Sequence, residues 1–139
     1  MDGLANGILL GTGIGLVAGA IAGLAADVVT SAKVVSQASI MLGQSMTNVT
    51  AAAGAAGAGI YGGLHSYQFL NAISPTLANF FGNMSNMLWL SNNINAGKEI
   101  LSIGYMPGST SPTNYTAELL LIIEKGKEII EYVWNWITK

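Results

Sequence analysis

The sequence has no cysteine and no arginine, three prolines and a single histidine, His65. Without cysteine there are no disulfides, no thiolate nucleophile and no Cys-based zinc site. With five lysines, no arginine and seven acids, for a net charge of −2, no basic patch of the phosphate-gripping kind is visible. Charge of either sign is scarce: 9% of residues are charged against the usual quarter, 51% are hydrophobic, and mean hydropathy is +0.50. An ordinary solvated surface needs more charge than this, so much of the surface is expected to meet protein or lipid.

Acid–base chemistry is equally thin. No Asp follows Asp27, and Ser66 and Tyr67 give the neighbouring His65 no carboxylate to orient it, as a catalytic triad would require. His65 therefore reads as a packing histidine. Gly13 to Ala18, GIGLVA, fits the dinucleotide-binding fingerprint by its letters, but Asp27 comes too soon to be the second-strand acid and lies inside a continuing helical pattern. No enzymatic activity, catalytic residue, cofactor, metal or small-molecule substrate is expected. With Met1-Asp2 at the start and the first lysine at Lys33, no cleavable secretory signal is expected.

What is present is small-residue spacing. Gly3 to Ala26 is 24 residues without a charge, about 36 Å as a helix, and glycine recurs at Gly3, Gly7, Gly11, Gly15, Gly19 and Gly23. From Val34 to Gly97 another 64 residues carry no Asp, Glu, Lys or Arg; in Ala51–Gly63 eleven of thirteen are Ala or Gly, with Ala51, Ala55, Gly59 and Gly63 again four apart. A glycine inside a helix costs about 1 kcal/mol relative to alanine, so this pattern needs a compensating gain. Spacing of four bares a groove into which a neighbouring backbone can settle, and the groove drifts about 40° per step, so it suits several neighbours better than one. The predicted self-assembly residues are Gly7, Gly11, Gly15, Gly19, Gly23, Ala51, Ala55, Gly59 and Gly63.

These patterns predict one all-α domain of about four helices with no sheet. Residues 1–45 form the glycine-zipper segment, as one helix or as two bent at Thr30-Ser31 and Gly43. An Ala/Gly-rich helix covers 46–73, and a helical segment over 74–103 opens with Ser74 as N-cap and Pro75 at the first helical position. A Gly/Pro/Ser/Asn loop spans 104–114. An amphipathic helix over 115–139 places Leu119, Ile122, Ile123, Ile129, Ile130, Val133 and Ile137 on one face, with Glu124, Lys125, Lys127, Glu128 and Glu131 mainly opposite. Trp89, Phe80 and Phe81 read as core. Tyr132, Trp134 and Trp136 read equally as a membrane-interface anchor or a contact between subunits. Of the sequons at Asn48, Asn83 and Asn114, only Asn114, in the loop, is expected to be open to glycosylation.

A charge-poor helical chain with two Gly/Ala-rich apolar stretches, GILLGTGIGLVAGAIAGLAA and AAAGAAGAGIYGGL, resembles the major coat proteins of archaeal spindle-shaped or rod-shaped viruses. The resemblance is one of composition and layout. It implies a virion protein whose hydrophobic helices interlock with those of neighbouring copies, in a large homo-oligomer enclosing a DNA genome. Residues 3–26 and 46–73 would then make subunit contacts, with weak DNA contacts at Lys33 and Lys98. The rival expectation is an integral membrane protein, a holin-like pore or small channel, oligomerising through the same grooves in lipid. Asp2 and Asp27 flank the first segment where lysines would be expected, and the eight asparagines from Asn48 to Asn95 would be costly against lipid.

Overall fold

A computed structural model of the chain describes residues 22–109 and 114–137. Gly7, Gly11, Gly15 and Gly19 lie outside the described residues. The rest falls into two compact units, one from residues 22–31 and 63–85, the other from 32–62, 86–109 and 114–137.

The first unit is helical. Residues 22–31 form α1, Tyr67–Ile73 form α3, and α4, Pro75–Asn95, begins here. The start of α4 follows the Ser-Pro signal: Ser74 Oγ accepts from the Leu77 N–H at 3.3 Å, satisfying one of the amides that open every helix. Tyr67 Oη donates to Asn79 Oδ1 at 2.7 Å and holds α3 to α4. Ser85 Oγ donates to the Val28 carbonyl at 3.3 Å and ties α4 to α1.

The second unit overturns the all-α expectation. Strands β1 (Ser39–Leu42), β2 (Glu99–Ser102) and β3 (Ile129–Glu131) make a parallel sheet in the order β1-β2-β3. Ile40 pairs with Ile100, and Ile100 with Ile129. On the other edge of β1, the Met41 N–H donates to the Gly59 carbonyl and the Gly59 N–H to the Ser39 carbonyl, each at 2.9 Å, a parallel bridge that adds a fourth extended segment. One face of the sheet presents Ile40, Leu42 and Ile100 to Trp89 and Leu90 of α4 and to Tyr115 and Ile122 of α5 (Asn114–Glu124). The other presents Met41 to Val49, Ala52 and Ala53 of α2 (Met46–Ala56), with Leu101, Tyr132, Trp134 and Trp136 packed alongside. Parallel strands are normally covered on both faces, and all four residues of β1 are buried.

Three of the corrections, after α2, α4 and α5, share one cause. The predicted helix over 115–139 ends at Glu124 because Gly126 takes φ 67°. Its N–H bonds to the Ile123 carbonyl and that of Lys127 to Ile122, the six-to-one and five-to-two pattern of a Schellman turn. Gly97, at φ 82°, closes α4 identically, with bonds to Ile94 and from Lys98 to Asn93. The predicted helix over 46–73 likewise stops at Ala56, before the left-handed Gly57, and resumes only at Tyr67. Gly97-Lys98-Glu99-Ile100 and Gly126-Lys127-Glu128-Ile129 are the same four residues, set side by side by the sheet register. In each, glycine turns the chain, lysine sits beside the negative end of a helix, and isoleucine enters the sheet. In the 1–45 segment α1 ends at Ser31, and Gly43 directly follows β1. Of the apolar face predicted for 115–139, Ile122 is buried, but Ile123 and Val133 are exposed.

Two glycine substitutions should move stability in opposite directions. Gly54 lies inside α2 with nothing within 4 Å of an added Cβ, so Gly54→Ala should stabilise by about 0.5–1 kcal/mol. Gly126→Ala should destabilise by about 1 kcal/mol because its φ is left-handed. Urea unfolding of both variants reads the signs.

Candidate functional site

The structure scatters the described assembly residues predicted from spacing. Gly23 is exposed in α1, and Ala51 and Ala55 belong to α2, where the buried residues are instead Ala52 and Ala53. Gly59 is not on a helix at all: a Cβ there would meet Val35 and Gln37 at 2.7–2.8 Å, so the close approach it permits is between segments of its own chain. Gly63 lies in an irregular segment at φ 91°. Of these five positions, only Ala51 and Ala55 share a helix.

Lys33 and Lys98 are brought together by Asn93, whose Nδ2 donates to the Lys33 carbonyl at 3.4 Å and whose own carbonyl accepts from the Lys98 N–H at 3.1 Å. Lys127 follows beside Lys98 through the register of β2 and β3. Glu99 and Glu128 alternate with these lysines in sequence, so the amino edge of the sheet carries mixed rather than positive charge. Asn114, the nominated glycosylation acceptor, is exposed at the start of α5.

His65 does have a carboxylate, supplied not by its sequence neighbours but by a distant helix. Asp27 of α1, 38 positions earlier, places Oδ1 3.2 Å from His65 Nδ1. The same carboxylate accepts from the Ser66 hydroxyl, from the Ser66 N–H at 3.0 Å and from Ser31 Oγ at 3.4 Å. Burial pushes the Asp27 carboxyl up, but the two Ser66 bonds, the nearby His65 and Ser31 together outweigh it and hold it below its ordinary value. Both hydroxyls donate to the acid. An activated nucleophile would instead donate to the histidine, so the cluster locks the entry to α3 onto α1.

A second polar cluster lies at the carboxyl ends of β1 and β2. The chain leaves β1 through α2 toward the Gly59 edge and leaves β2 through α5 toward β3, which makes this a topological switch point, where open α/β sheets usually hold ligands. Here side chains of the chain itself bridge the loops. Gln44 bridges the two loops, with its N–H to the Gly104 carbonyl at 3.0 Å, Nε2 to Ser109 Oγ at 2.9 Å and Oε1 from the Met106 N–H at 2.6 Å. Ser102 bonds to Tyr115 Oη, and Tyr105 Oη to Thr116 Oγ1. Asn48, buried in α2, accepts from Trp134 Nε1 at 2.9 Å and from the Ile137 N–H at 2.7 Å, and donates to the Ile137 carbonyl at 3.1 Å. The aromatic C-terminal segment is thereby strapped to the chain's own α2. These groups are hydroxyls and amides, suited to holding loops rather than to moving protons.

The remaining candidate is a surface. On α3, Phe69 and Ile73 are 69% and 65% exposed; on α4, Leu77, Phe80 and Met84 are 45%, 55% and 43% exposed. The spacings, four on α3 and three then four on α4, put each set on one helix face. The exposure of Phe80 corrects its expected place in the core, which Trp89 does occupy. Around these residues stand Gln68, Asn71, Thr76, Asn79 and Asn83, all exposed, and neither helix carries a charge. Composition alone did not single out this face, but the apolar spacing of Leu77, Phe80 and Met84 could have.

Among the described residues no helix is long and apolar enough to cross a membrane, and no group of three His, Cys, Asp or Glu is placed to hold a metal.

Asp27→Ala should lower stability by about 1–2 kcal/mol, because it strands the Ser66 and Ser31 donors. The sign with pH follows from the depressed carboxyl: its contribution is complete above the ordinary value of 3.8 and is lost as pH falls through the lower folded value. Thermal unfolding between pH 3 and 6 should therefore show an acid limb that is weaker in the variant. No protein family, curated protein or solved structure matches the chain.

Proposed function

We propose that this chain is a structural virion protein, a coat subunit that assembles with copies of itself through apolar, uncharged helix faces into a shell around a DNA genome. The observation that carries this reading is the α3–α4 face. At their fractional exposures, Phe69, Ile73, Leu77, Phe80 and Met84 present on the order of 500 Å² of side-chain surface, taking roughly 200 Å² for each freed side chain. Summed over the two helices, that is more than half of the roughly 800 Å² each partner buries in a standard interface. An apolar centre with an uncharged polar rim has the anatomy of a protein–protein contact.

The occupant that fits is a second copy. A face without charge gives a charged partner nothing to pair with, and residues 34–97 offer an equally uncharged surface on every other copy. The glycine stripe from Gly7 to Gly23 adds, in sequence, the small-residue groove that the resemblance to archaeal viral coat proteins associates with interlocking subunits. Lys33 and Lys98 remain the proposed DNA contacts, weak because Glu99 and Glu128 accompany them and few phosphates can be neutralised.

Light scattering after gel filtration, with electron microscopy of the same fractions, tests the reading. The unmodified chain should form large assemblies without detergent. Leu77→Glu combined with Phe80→Glu should yield small species with unchanged circular dichroism. A monodisperse monomer from the unmodified chain, or undiminished assembly of the double variant, refutes the α3–α4 face as the contact.

A further inference from the structure

Glu118 on α5 is a buried acid, 7% exposed, held by Asn86 of α4, whose Nδ2 donates to Oε2 at 2.9 Å. Asn86 is itself 8% exposed, and its Oδ1 is buried without a donor. Both facts are unusual, since buried carboxylates are normally matched by a cation and buried amide oxygens by a hydrogen.

Among the described residues, nothing packed around Glu118 supplies either. α4 has no titratable or charged residue anywhere between Pro75 and Asn95. On α5 the other titratable groups are Tyr115, one turn earlier and bonded to Ser102, and Glu124 at the far end. The only charged residue of β2 is Glu99, exposed at its start, and that of β3 is Glu131, also exposed. Lys125, just beyond α5, donates to Asn95 at 3.5 Å. The countercharge missing for Glu118 and the hydrogen missing for Asn86 can be one and the same proton.

We propose that Glu118 is carried as the neutral acid, its O–H donating to Asn86 Oδ1 while its other oxygen accepts from Asn86 Nδ2, so that a two-point ring fastens α5 to α4 and opens when the proton leaves. A carboxylic acid and a carboxamide have matching donor and acceptor pairs for this ring. Burial pushes the Glu118 carboxyl up to about 7, only partly opposed by the Asn86 bond, so the proton would leave near neutrality. The consequence reaches further than one contact. α5 also carries Tyr115 and Thr116, which hold Ser102 and Tyr105 at the carboxyl edge of the sheet. Loss of the proton therefore loosens the β2–α5 loop together with the helix.

The sign follows from linkage. The folded chain holds a proton between the ordinary 4.5 and about 7 that the unfolded chain has released, so stability falls as pH rises across that window and levels off above it. Infrared spectroscopy of the full chain, assembled or not, reads the protonated carboxyl directly. One acid carbonyl band should persist at pH 6, when the exposed carboxylates are ionised, fade with a midpoint near 7, and be absent from Glu118→Gln. In urea unfolding the midpoint of the unmodified chain should drop between pH 6 and 8.5. Glu118→Gln, which can form the same ring amide to amide, should show no such drop and should be the more stable protein at pH 8.5. Absence of the band at pH 6 in the unmodified chain, or an equal drop in Glu118→Gln, overturns the proposal; the band can be read even if that variant does not fold.

Discussion

A helix can hand its chain to a neighbouring parallel strand only if it stops cleanly, with its last carbonyls satisfied. In this protein that constraint is met by glycine in the left-handed conformation, at Gly57 after α2, Gly97 after α4 and Gly126 after α5. Each stop is followed within three residues by an extended segment: the Gly59 bridge, β2 and β3. The sheet depends on these stops. If α5 continued through Gly126, Ile129 would have no place beside Ile100, and Tyr132, Trp134 and Trp136 would be carried away from the face of Met41. The strap that ends in the bonds between Asn48 and Ile137 would go with them.

Scarcity of charge acts on the second level. With no Asp, Glu, Lys or Arg from Val34 to Gly97, several long-range polar contacts of this stretch are made by amides. Asn48, Asn93 and Gln44 each bridge segments distant in sequence. Asn93 does so by accepting the Val35 N–H at 3.0 Å while donating to two carbonyls, Trp89 and Lys33. The same scarcity leaves the outer face of α3 and α4 apolar with an uncharged rim. The asparagines that read as an argument against lipid thus act partly as internal fasteners.

Part of this was legible in the sequence. Ser74-Pro75 marks the start of α4. The sheet was not legible, for physical reasons. Its strands are three or four residues long, too short for a period of two to show. Ile40-Met41-Leu42 in β1 is a continuous apolar run, as expected for a strand covered on both faces, and such a run cannot be told from a helix segment by periodicity. Spacing carries no information on φ, so Gly57, Gly97 and Gly126 fall inside the predicted helical segments although they are helix stops. The Asp27–His65 pair was hidden by the 38 positions between its members, as was Glu118 with Asn86, 32 positions apart.

The most direct measurement of the central claim is the backbone conformation of residues 124–137 in the intact protein, read from carbon chemical shifts by magnetic resonance in solution or in the assembled solid. Glycine-terminated helices feeding a parallel sheet predict helical shifts through Glu124, a left-handed Gly126, extended shifts at Ile129–Glu131, and close contacts between Ile100 and Ile129. Helical shifts running without a break from Tyr115 to Ile137 would contradict it and would restore the all-helical chain.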